Sequence, residues 1–508
     1  MVALFSLGRR LPRALRLGLV GLVVLFTLIA FFHSGSNRSL YYSRPPFVSR
    51  YIWPRNSGPD KNGAQHWRKY AWPTESMFPP RMENAPSRAQ ENDDLCKGFP
   101  THLLDSVQVV LKTGIGESAK TRASLNSVNS CITNIKIVSD AAEVFPEKNV
   151  IVRDILADLD GDAYAIENPD WDAYAPQKQQ QTKSKEGWRL DRFKFLPMLE
   201  RAFREAAPQV DWFVFIETDI YFFWDTLFRM LSQLDPNQEH FLGAPAAGYG
   251  GLFFAYGGAG FVLSRALLSR FVTGSGDRDN ESKPVALPSV EFMDLVKGDC
   301  CGDSVLGYAI ANRTGKRLEA LFPIFSGSEV RELRAGADNW CVPLLGLHRV
   351  QPDQMRQLWE WERTRPYNED PIYFSTFLYY THAFLRENGT SNRGAEASKS
   401  STREFWDNYS SLEQPKGSTA HKSAEACRAA CAADRRRDGC TQWSFTTAEN
   451  EAMCRFGTGV HLGAATPDKN IVSGWNVQRM RKMGFDTDPQ RGYSTSCSGA
   501  TWLRPLVR

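Results

Sequence analysis

The sequence predicts an α/β domain built on an open sheet, followed by a small α+β module stapled by disulfides. Three observations carry this reading. Trp212-Phe213-Val214-Phe215-Ile216 is an unbroken run of β-branched and aromatic residues, a fully buried strand, and it stops at two carboxylates one residue apart, Glu217 and Asp219. Ser106-Val107-Gln108-Val109-Val110-Leu111 is a second apolar strand, running into Lys112-Thr113-Gly114-Ile115-Gly116, and a strand entering a glycine-containing turn is how α/β nucleotide sites begin. Near the C-terminus Cys427, Cys431, Cys440 and Cys454 fall within one short stretch, the mark of a unit too small to rely on its core alone.

At 508 residues, with 42% hydrophobic and 23% charged residues, the chain has room for one large domain and a smaller one. A formal net charge of +4, without a basic stripe carrying interleaved aromatics, argues against a nucleic-acid partner. Part of that excess is local, since Arg9, Arg10, Arg13 and Arg16 precede the uncharged run from Leu17 to Phe32. Basic residues before an apolar span predict a signal anchor with its N-terminus cytosolic and the rest luminal; a cleaved signal peptide shares the pattern, but no small-x-small site stands at Ala30-Phe31-Phe32. Two features fit a luminal address. Asn-x-Ser/Thr sequons occur at Asn37, Asn280, Asn312, Asn388 and Asn408, and the ten cysteines include no Cys-x-x-Cys metal arrangement, so disulfides are the default.

Residues 1–16 thus read as a cytosolic tail, 17–32 as the transmembrane anchor and 33–95 as a Pro-, Asn- and Ser-rich stem. The large domain is expected over 96–370, a linker over 371–419, the small module over 420–482 and a tail over 483–508. After the first strand comes a polar helix around Lys120 to Cys131, then the strand Asn134–Val138 ending at Ser139-Asp140, where Asp140 either holds a nucleotide base or ribose or closes a turn. The hydrophilic stretch Asp160–Glu186 reads as a loop. From Trp188 to Phe203 helical periodicity places Phe195, Met198, Leu199, Ala202 and Phe203 on one face and Trp188, Asp191, Lys194 and Phe195 on an adjacent stripe. A basic residue on that stripe can reach a phosphate; a solvated face would look the same.

Burying Glu217 and Asp219 at a strand end costs several kcal/mol unless something pairs with them, and a divalent cation is the natural partner; capping the helix near Trp224-Asp225 is the alternative. Downstream, Tyr249 to Ser264 is dense in glycine beside aromatics, which lets backbone approach a flat ligand or a sugar, or packs small residues in a core. Asp303 opens a helix after Cys300-Cys301-Gly302, as an N-cap or as a functional acid. His348 ends an apolar strand from Val342, where a lone histidine is more often structural than a ligand; beside Glu217 and Asp219 it would complete a mixed N/O site of the Mn²⁺ type.

In this order, from Ser106 to Trp361, the segments resemble glycosyltransferase family 31, the fringe-like and core-type β-1,3-galactosyltransferase-like enzymes, and most closely their fungal members. The carrying pieces are Val109-Val110-Leu111-Lys112-Thr113-Gly114, Ser139-Asp140, Trp188 through Met198, Phe215 through Tyr221, Gly257-Gly258-Ala259-Gly260-Phe261-Val262-Leu263-Ser264, Cys301 through Gly307, and Leu347-His348-Arg349-Val350. The resemblance implies a GT-A fold with a Rossmann-like nucleotide half, and an inverting, metal-dependent transfer of a hexose from a UDP-sugar to a glycan acceptor on a glycoprotein or glycolipid in β-1,3 linkage. It also implies a single-pass type II protein of the Golgi membrane. Carried over, Asp219 and His348 would hold Mn²⁺ with Glu217 close by, and Thr113 and Asp140 would face the nucleotide. Asp191 and Lys194 would lie on the donor side, Gly257 and Gly258 would shape the sugar pocket, and Asp303 would be the base. Thr218 departs from the family, which carries Asp there, so a glycan-binding protein without turnover is the competing reading and sugar-nucleotide hydrolysis a third.

The C-terminal pattern Cys427-x3-Cys431-x8-Cys440-x13-Cys454, with Gln442-Trp443-Ser444-Phe445 after the third cysteine, resembles a PAN/apple module. Cys427 and Cys431 share a helix face, placed for stapling to neighbouring strands. Of the remaining cysteines, Cys96, Cys131, Cys300, Cys301, Cys341 and Cys497, the expected pairs are Cys96 with Cys131 and Cys341 with Cys300 or Cys301.

Overall fold

The two long apolar runs form the centre of a nine-stranded mixed sheet. The computed structural model describes residues 96, 99, 101–180, 187–274, 285–364, 371–387, 401–448, 451–485, 497–503 and 505–507. In chain order the strands of this sheet are β1 (Val107–Lys112), β2 (Ile135–Ser139), β3 (Glu143–Phe145), β4 (Val150–Asp154), β5 (Trp212–Glu217), β6 (Phe241–Gly243), β7 (Phe261–Ser264), β8 (Glu319–Ala320) and β9 (Leu506–Val507). Their spatial order is β9, β8, β6, β7, β5, β1, β2, β4, β3. Parallel pairing joins β5, β1, β2 and β4, while β7 runs antiparallel between β5 and β6.

Continuous hydrophobicity in β5 follows from burial on both faces. Trp212, Val214 and Ile216 enter one core, while Phe213 and Phe215 enter the other. The first core packs against the helices Trp224–Leu231, Pro352–Thr364 and Phe374–Thr381, and the second against Phe195–Glu205, Arg265–Thr273 and Gly302–Thr314. Each large apolar side chain so buried contributes about 1.5–3 kcal/mol. Stacking of Phe215 on Phe261, at 4.8 Å between ring centroids, ties β5 to β7.

Several expectations are corrected. Residues 160–180 carry the short helices Gly161–Ala165 and Tyr174–Gln180 rather than a loop, because Tyr164 and Trp171 pack edge-on against Phe193 and anchor an otherwise polar stretch. The expected helix from Trp188 starts as a 3-10 segment, Gly187–Lys194, and turns α-helical only at Phe195. The hairpin of β3 and β4 was not read from the sequence.

Within 371–419, the described residues 371–387 and 401–419 are not a linker. Ile372, Tyr373, Phe374 and Phe377 are buried in the first core, and Thr402–Glu404 pairs with Ile471–Trp475 in the module's own sheet. Nor is 483–508 a free tail: Trp502 is buried, Cys497 is bonded to Cys341, and β9 completes the large sheet against β8. The module is therefore inserted into the α/β domain, with the chain returning after it. Cys300 and Cys301 are bonded to each other, so neither is available to Cys341. The returning segment is what meets Cys341, where the Thr501 amide donates to the Cys341 carbonyl at 2.9 Å. Cys96 joins Cys131.

The inserted module has a five-stranded antiparallel sheet and the helix Ala424–Ala433, whose Cys427 and Cys431 are bonded to Cys454 and Cys440. It is joined to the domain by reciprocal amide bonds between Ala335 and Val460, at 3.0 and 2.7 Å, and by Trp475 and Met480 in the shared core. Asn408 is fully buried, its amide donating to the carbonyls of Trp443 and Gly474, so this sequon has no free amide in the fold. The anchor at 17–32, the stem, and Asn37, Asn280 and Asn388 lie outside the described residues. Among the described residues no helix is long and apolar enough to cross a membrane.

Candidate active site

Three features bring the polar residues together at the carboxyl edge of the parallel strands, where ligands bind in open α/β sheets. Register sets Lys112, the last residue of β1, directly opposite Glu217, the last of β5. A turn after Glu217 carries Asp219, and the next residues, Tyr221-Phe222, pair antiparallel with Gly346-Leu347. That short ladder delivers His348 to Asp219, with the Val350 amide donating to the Asp219 carbonyl at 2.9 Å. One ligand atom each from Glu217, Asp219 and His348 lie within 4.8 Å of one another.

His348 Nε2 stands 3.7 Å from Asp219 Oδ1, and its Nδ1 is 3.3 Å from the Tyr256 hydroxyl. In the tautomer where Nδ1–H donates to Tyr256, the Nε2 lone pair is free for a ligand. Burial pushes the imidazole below its usual pKa, against the pull of Asp219 and Glu217, which keeps it neutral. Gly258 makes this possible. A Cβ there would lie 2.5 Å from His348 Cε1 and 2.7 Å from Nε2. Two carboxylates and a neutral imidazole, with space beside the nitrogen that only glycine leaves, suit a divalent cation of the Mn²⁺ type. Thr218, between the two acids, is buried.

Behind this triad lies a closed charge network. Lys112 Nζ contacts Asp191 Oδ2 at 2.5 Å and Glu217 Oε1 at 3.1 Å, over the ring of Phe195 at 4.3 Å. Burial pulls its pKa down, but the two carboxylates outweigh that and hold it well above an ordinary lysine. Asp191 also meets Lys194 at 3.5 Å, and the two ammonium groups hold its carboxyl below the usual range against the opposing effect of desolvation. The 3-10 geometry explains the row, since residues three apart eclipse in such a helix. Lys194 in turn pairs with Asp140 at 2.8 Å and donates to the Thr113 carbonyl at 2.8 Å, each charged side chain being 3% exposed.

Asp140 further accepts from the Ile115 amide at 3.0 Å, and the Thr113 hydroxyl is 2.7 Å from that of Thr121. The structure thus places Thr113 and Asp140 under the first turn, with their polar atoms engaged by protein partners. Asp191 and Glu217 form its more open side.

Asp303, in the first turn of Gly302–Thr314, accepts from the Gly257 amide at 2.9 Å and from the Ser304 amide at 3.0 Å. Gly257 separates two acids: a Cβ there would stand 3.3 Å from both Asp303 Oδ2 and Glu217 Oε1. Burial raises the Asp303 pKa to about 6, with Glu217 adding to the rise and the two amides and Lys112 opposing it. The helix start is close-packed at Gly302, where a Cβ would be 2.4 Å from Phe195 and 2.5 Å from the Arg192 carbonyl.

Sequence reasoning missed Lys112 and Tyr256. Lys112 ends an apolar strand in place of another apolar residue, which was the available signal; Tyr256 acts through a contact 92 residues away and left none.

Fold and site together define an α/β protein with a mixed sheet, a carboxylate and imidazole cluster at its carboxyl edge, and a half-buried acid across a glycine from that cluster. Residues 172–330 match the Fringe-like family model, a segment holding Asp191, Lys194, Glu217, Asp219, Gly257, Gly258 and Asp303. Among solved structures, similarity is found to the glycosyltransferase GlyE of Streptococcus pneumoniae TIGR4, at 12% identity and a TM-score of 0.24. Its apo form matches at 10% identity and a TM-score of 0.22. In both cases the match covers 54% of this chain and 63% of that chain, so less than two thirds of the related protein is spanned.

Proposed function

We propose that the protein is an inverting glycosyltransferase that moves a hexose, of the galactose or N-acetylhexosamine type, from a UDP-sugar to a hydroxyl of a glycan acceptor in β-1,3 linkage. The observation that carries this reading is the convergence of Glu217, Asp219 and His348 within 4.8 Å of one another, with Asp303 fixed across Gly257. Asp219, His348 and Glu217 would hold Mn²⁺, which when bound neutralises the diphosphate leaving group. The match of 172–330 to the Fringe-like model supports the same class.

The chain's own residues supply the rest. Asp303 takes the proton from the acceptor hydroxyl as its oxygen bonds to the sugar carbon and the bond to the diphosphate breaks. The Gly257 and Ser304 amides hold both carboxylate oxygens in place for that transfer. Lys112 and Lys194 fix Glu217 and Asp191 from behind. A luminal position in the Golgi, through an anchor at 17–32, belongs to this proposal, and so does assignment of the inserted module to the PAN/apple type.

Calorimetric titration of UDP into the protein, with and without Mn²⁺, tests it. The expected result is binding that needs the metal and weakens by more than about 100-fold in Asp219→Ala. Absence of binding to folded protein under either condition would sink the transferase reading and favour a glycan-binding protein without turnover.

A further inference from the structure

One half-exposed aromatic side chain sits on a turn whose backbone is bonded to the residue that follows the candidate base. Tyr249 is 49% exposed, in the turn Tyr249–Gly251. Its amide donates to Ser304 Oγ at 3.2 Å, on the residue that follows Asp303, and the same hydroxyl reaches Asp299 Oδ2 at 3.5 Å. Ser304 therefore buckles three pieces together: the glycine turn, the start of the helix that carries Asp303, and the Asp299 turn before it.

The turn's shape is imposed by glycine. A Cβ on Gly248 would stand 2.6 Å from the Phe254 ring and 3.1 Å from Ser304 Oγ, while Gly250 and Gly251 adopt φ of +63° and +75°. The Tyr249 ring rests edge-on against Tyr308 at 4.9 Å, and Tyr308 against Phe292 at 6.3 Å. A ring supported from below and half open above is a pre-set surface, with only two torsions to immobilise. Both charged groups tied into this turn and the helix start, Asp299 and Asp303, are acids.

From this placement we infer that Tyr249 is the platform on which an uncharged pyranose ring of the acceptor stacks, its attacking hydroxyl turned toward Asp303. The inference rests on the transferase reading for the identity of the ligand as acceptor. Its chemistry is general. The C–H face of a pyranose carries partial positive charge and meets the negative face of an aromatic ring, and it covers apolar area that water otherwise wets. The two acids disfavour a sugar bearing carboxylate or sulfate at the same place.

Saturation-transfer NMR on the full chain tests this without requiring turnover. The probes are the methyl β-glycosides of galactose, N-acetylglucosamine, glucose and glucuronic acid, each with UDP and Mn²⁺ present. At least one neutral glycoside is expected to show ring-proton saturation that falls at least fivefold in Tyr249→Ala and stays within twofold in Tyr249→Phe, with the glucuronide at least threefold weaker. Unchanged saturation in Tyr249→Ala, or no saturation by any neutral glycoside, overturns the platform. Calorimetry of UDP and Mn²⁺ on the same samples separates the two claims. Intact UDP binding with an unaltered sugar signal condemns the platform alone, whereas wild-type protein that fails to bind UDP condemns the transferase reading, and the sugar signal still decides the platform.

Discussion

Two charged clusters share the carboxyl edge of the sheet, and they differ in where their counter-charge comes from. In the first, Asp140 and Lys194 pair at 2.8 Å with 3% exposure each, and their other contacts are also within the chain: the Ile115 amide and Ser139 hydroxyl for Asp140, the Thr113 carbonyl and, at 3.5 Å, Asp191 for Lys194. In the second, Glu217 and Asp219 stand beside a neutral imidazole, and the cations near them are shared. Lys112 is divided between Glu217 and Asp191, and Lys120, 40% exposed, lies 3.5 Å from Asp219 but 2.9 Å from Glu117. A buried charge matched within the chain is a structural element; acids left in excess at a sheet edge are what an external cation can match. The comparison predicts that variants in the first cluster cost stability and variants in the second cost ligand binding or turnover.

The largest expected effect sharpens the second half of that contrast. Asp303→Asn should lower kcat by about 10² to 10⁴ while UDP affinity in Mn²⁺ stays within a few-fold, because the base acts only in the transfer step. Steady-state rates beside calorimetry check this, and an equal loss in both would refute the role. Wild-type turnover should fall about tenfold per pH unit below about 6, where Asp303 becomes protonated, and level off above. Stability moves the opposite way. A folded pKa above the unfolded value near 3.9 favours the neutral acid in the fold, so its contribution is full below that value and is lost as pH rises through about 6.

Lys194→Met addresses the first cluster. Removing the partner of a carboxylate that is 3% exposed leaves a buried unpaired charge, a loss of about 3–5 kcal/mol in unfolding free energy measured by urea titration. Unchanged stability would show that Asp140 finds another partner, and the closed cluster would lose its distinction from the open one. Gly258→Ala should have the smallest effect. The added methyl overlaps His348 and should cost about 1–3 kcal/mol, read as weaker Mn²⁺-dependent UDP binding with little change in thermal midpoint. A thermal shift without a binding change would place the strain in the core instead of the site.

Legibility followed the range of the forces involved. Glu217 and Asp219 were readable because the alternation of β5 between two cores demands an apolar run, and a run ending in acids needs no distant information. Asp303 was readable for a similar local reason, an acid in the first turn of a helix. Asp140 was ambiguous in sequence, and its position beneath Gly114, bound to Lys194, comes from a contact across 54 positions that no local pattern encodes. The reading of 371–419 and 483–508 as linker and tail failed for the same reason. The helix Phe374–Thr381 is rich in aromatics but has only eight residues, and β9 has two, too few in either case to show a period, so both are stabilised by what they pack against and not by their own propensity.

By itself, then, the sequence determined the α/β class, the central buried strands, the acids at their ends and the stapled helix of the C-terminal module. These depend on periodicity and spacing within single elements. Tertiary structure alone decided that His348 reaches Asp219 through a two-residue ladder, that Lys112 stands opposite Glu217, that Cys341 joins Cys497, and that the module is an insertion whose far end closes the large sheet. Each of those joins residues separated by about 100 positions or more. Closing such loops costs entropy that grows only slowly with their length, so the partner is chosen by the burial and pairing of the finished fold, not by proximity in the chain.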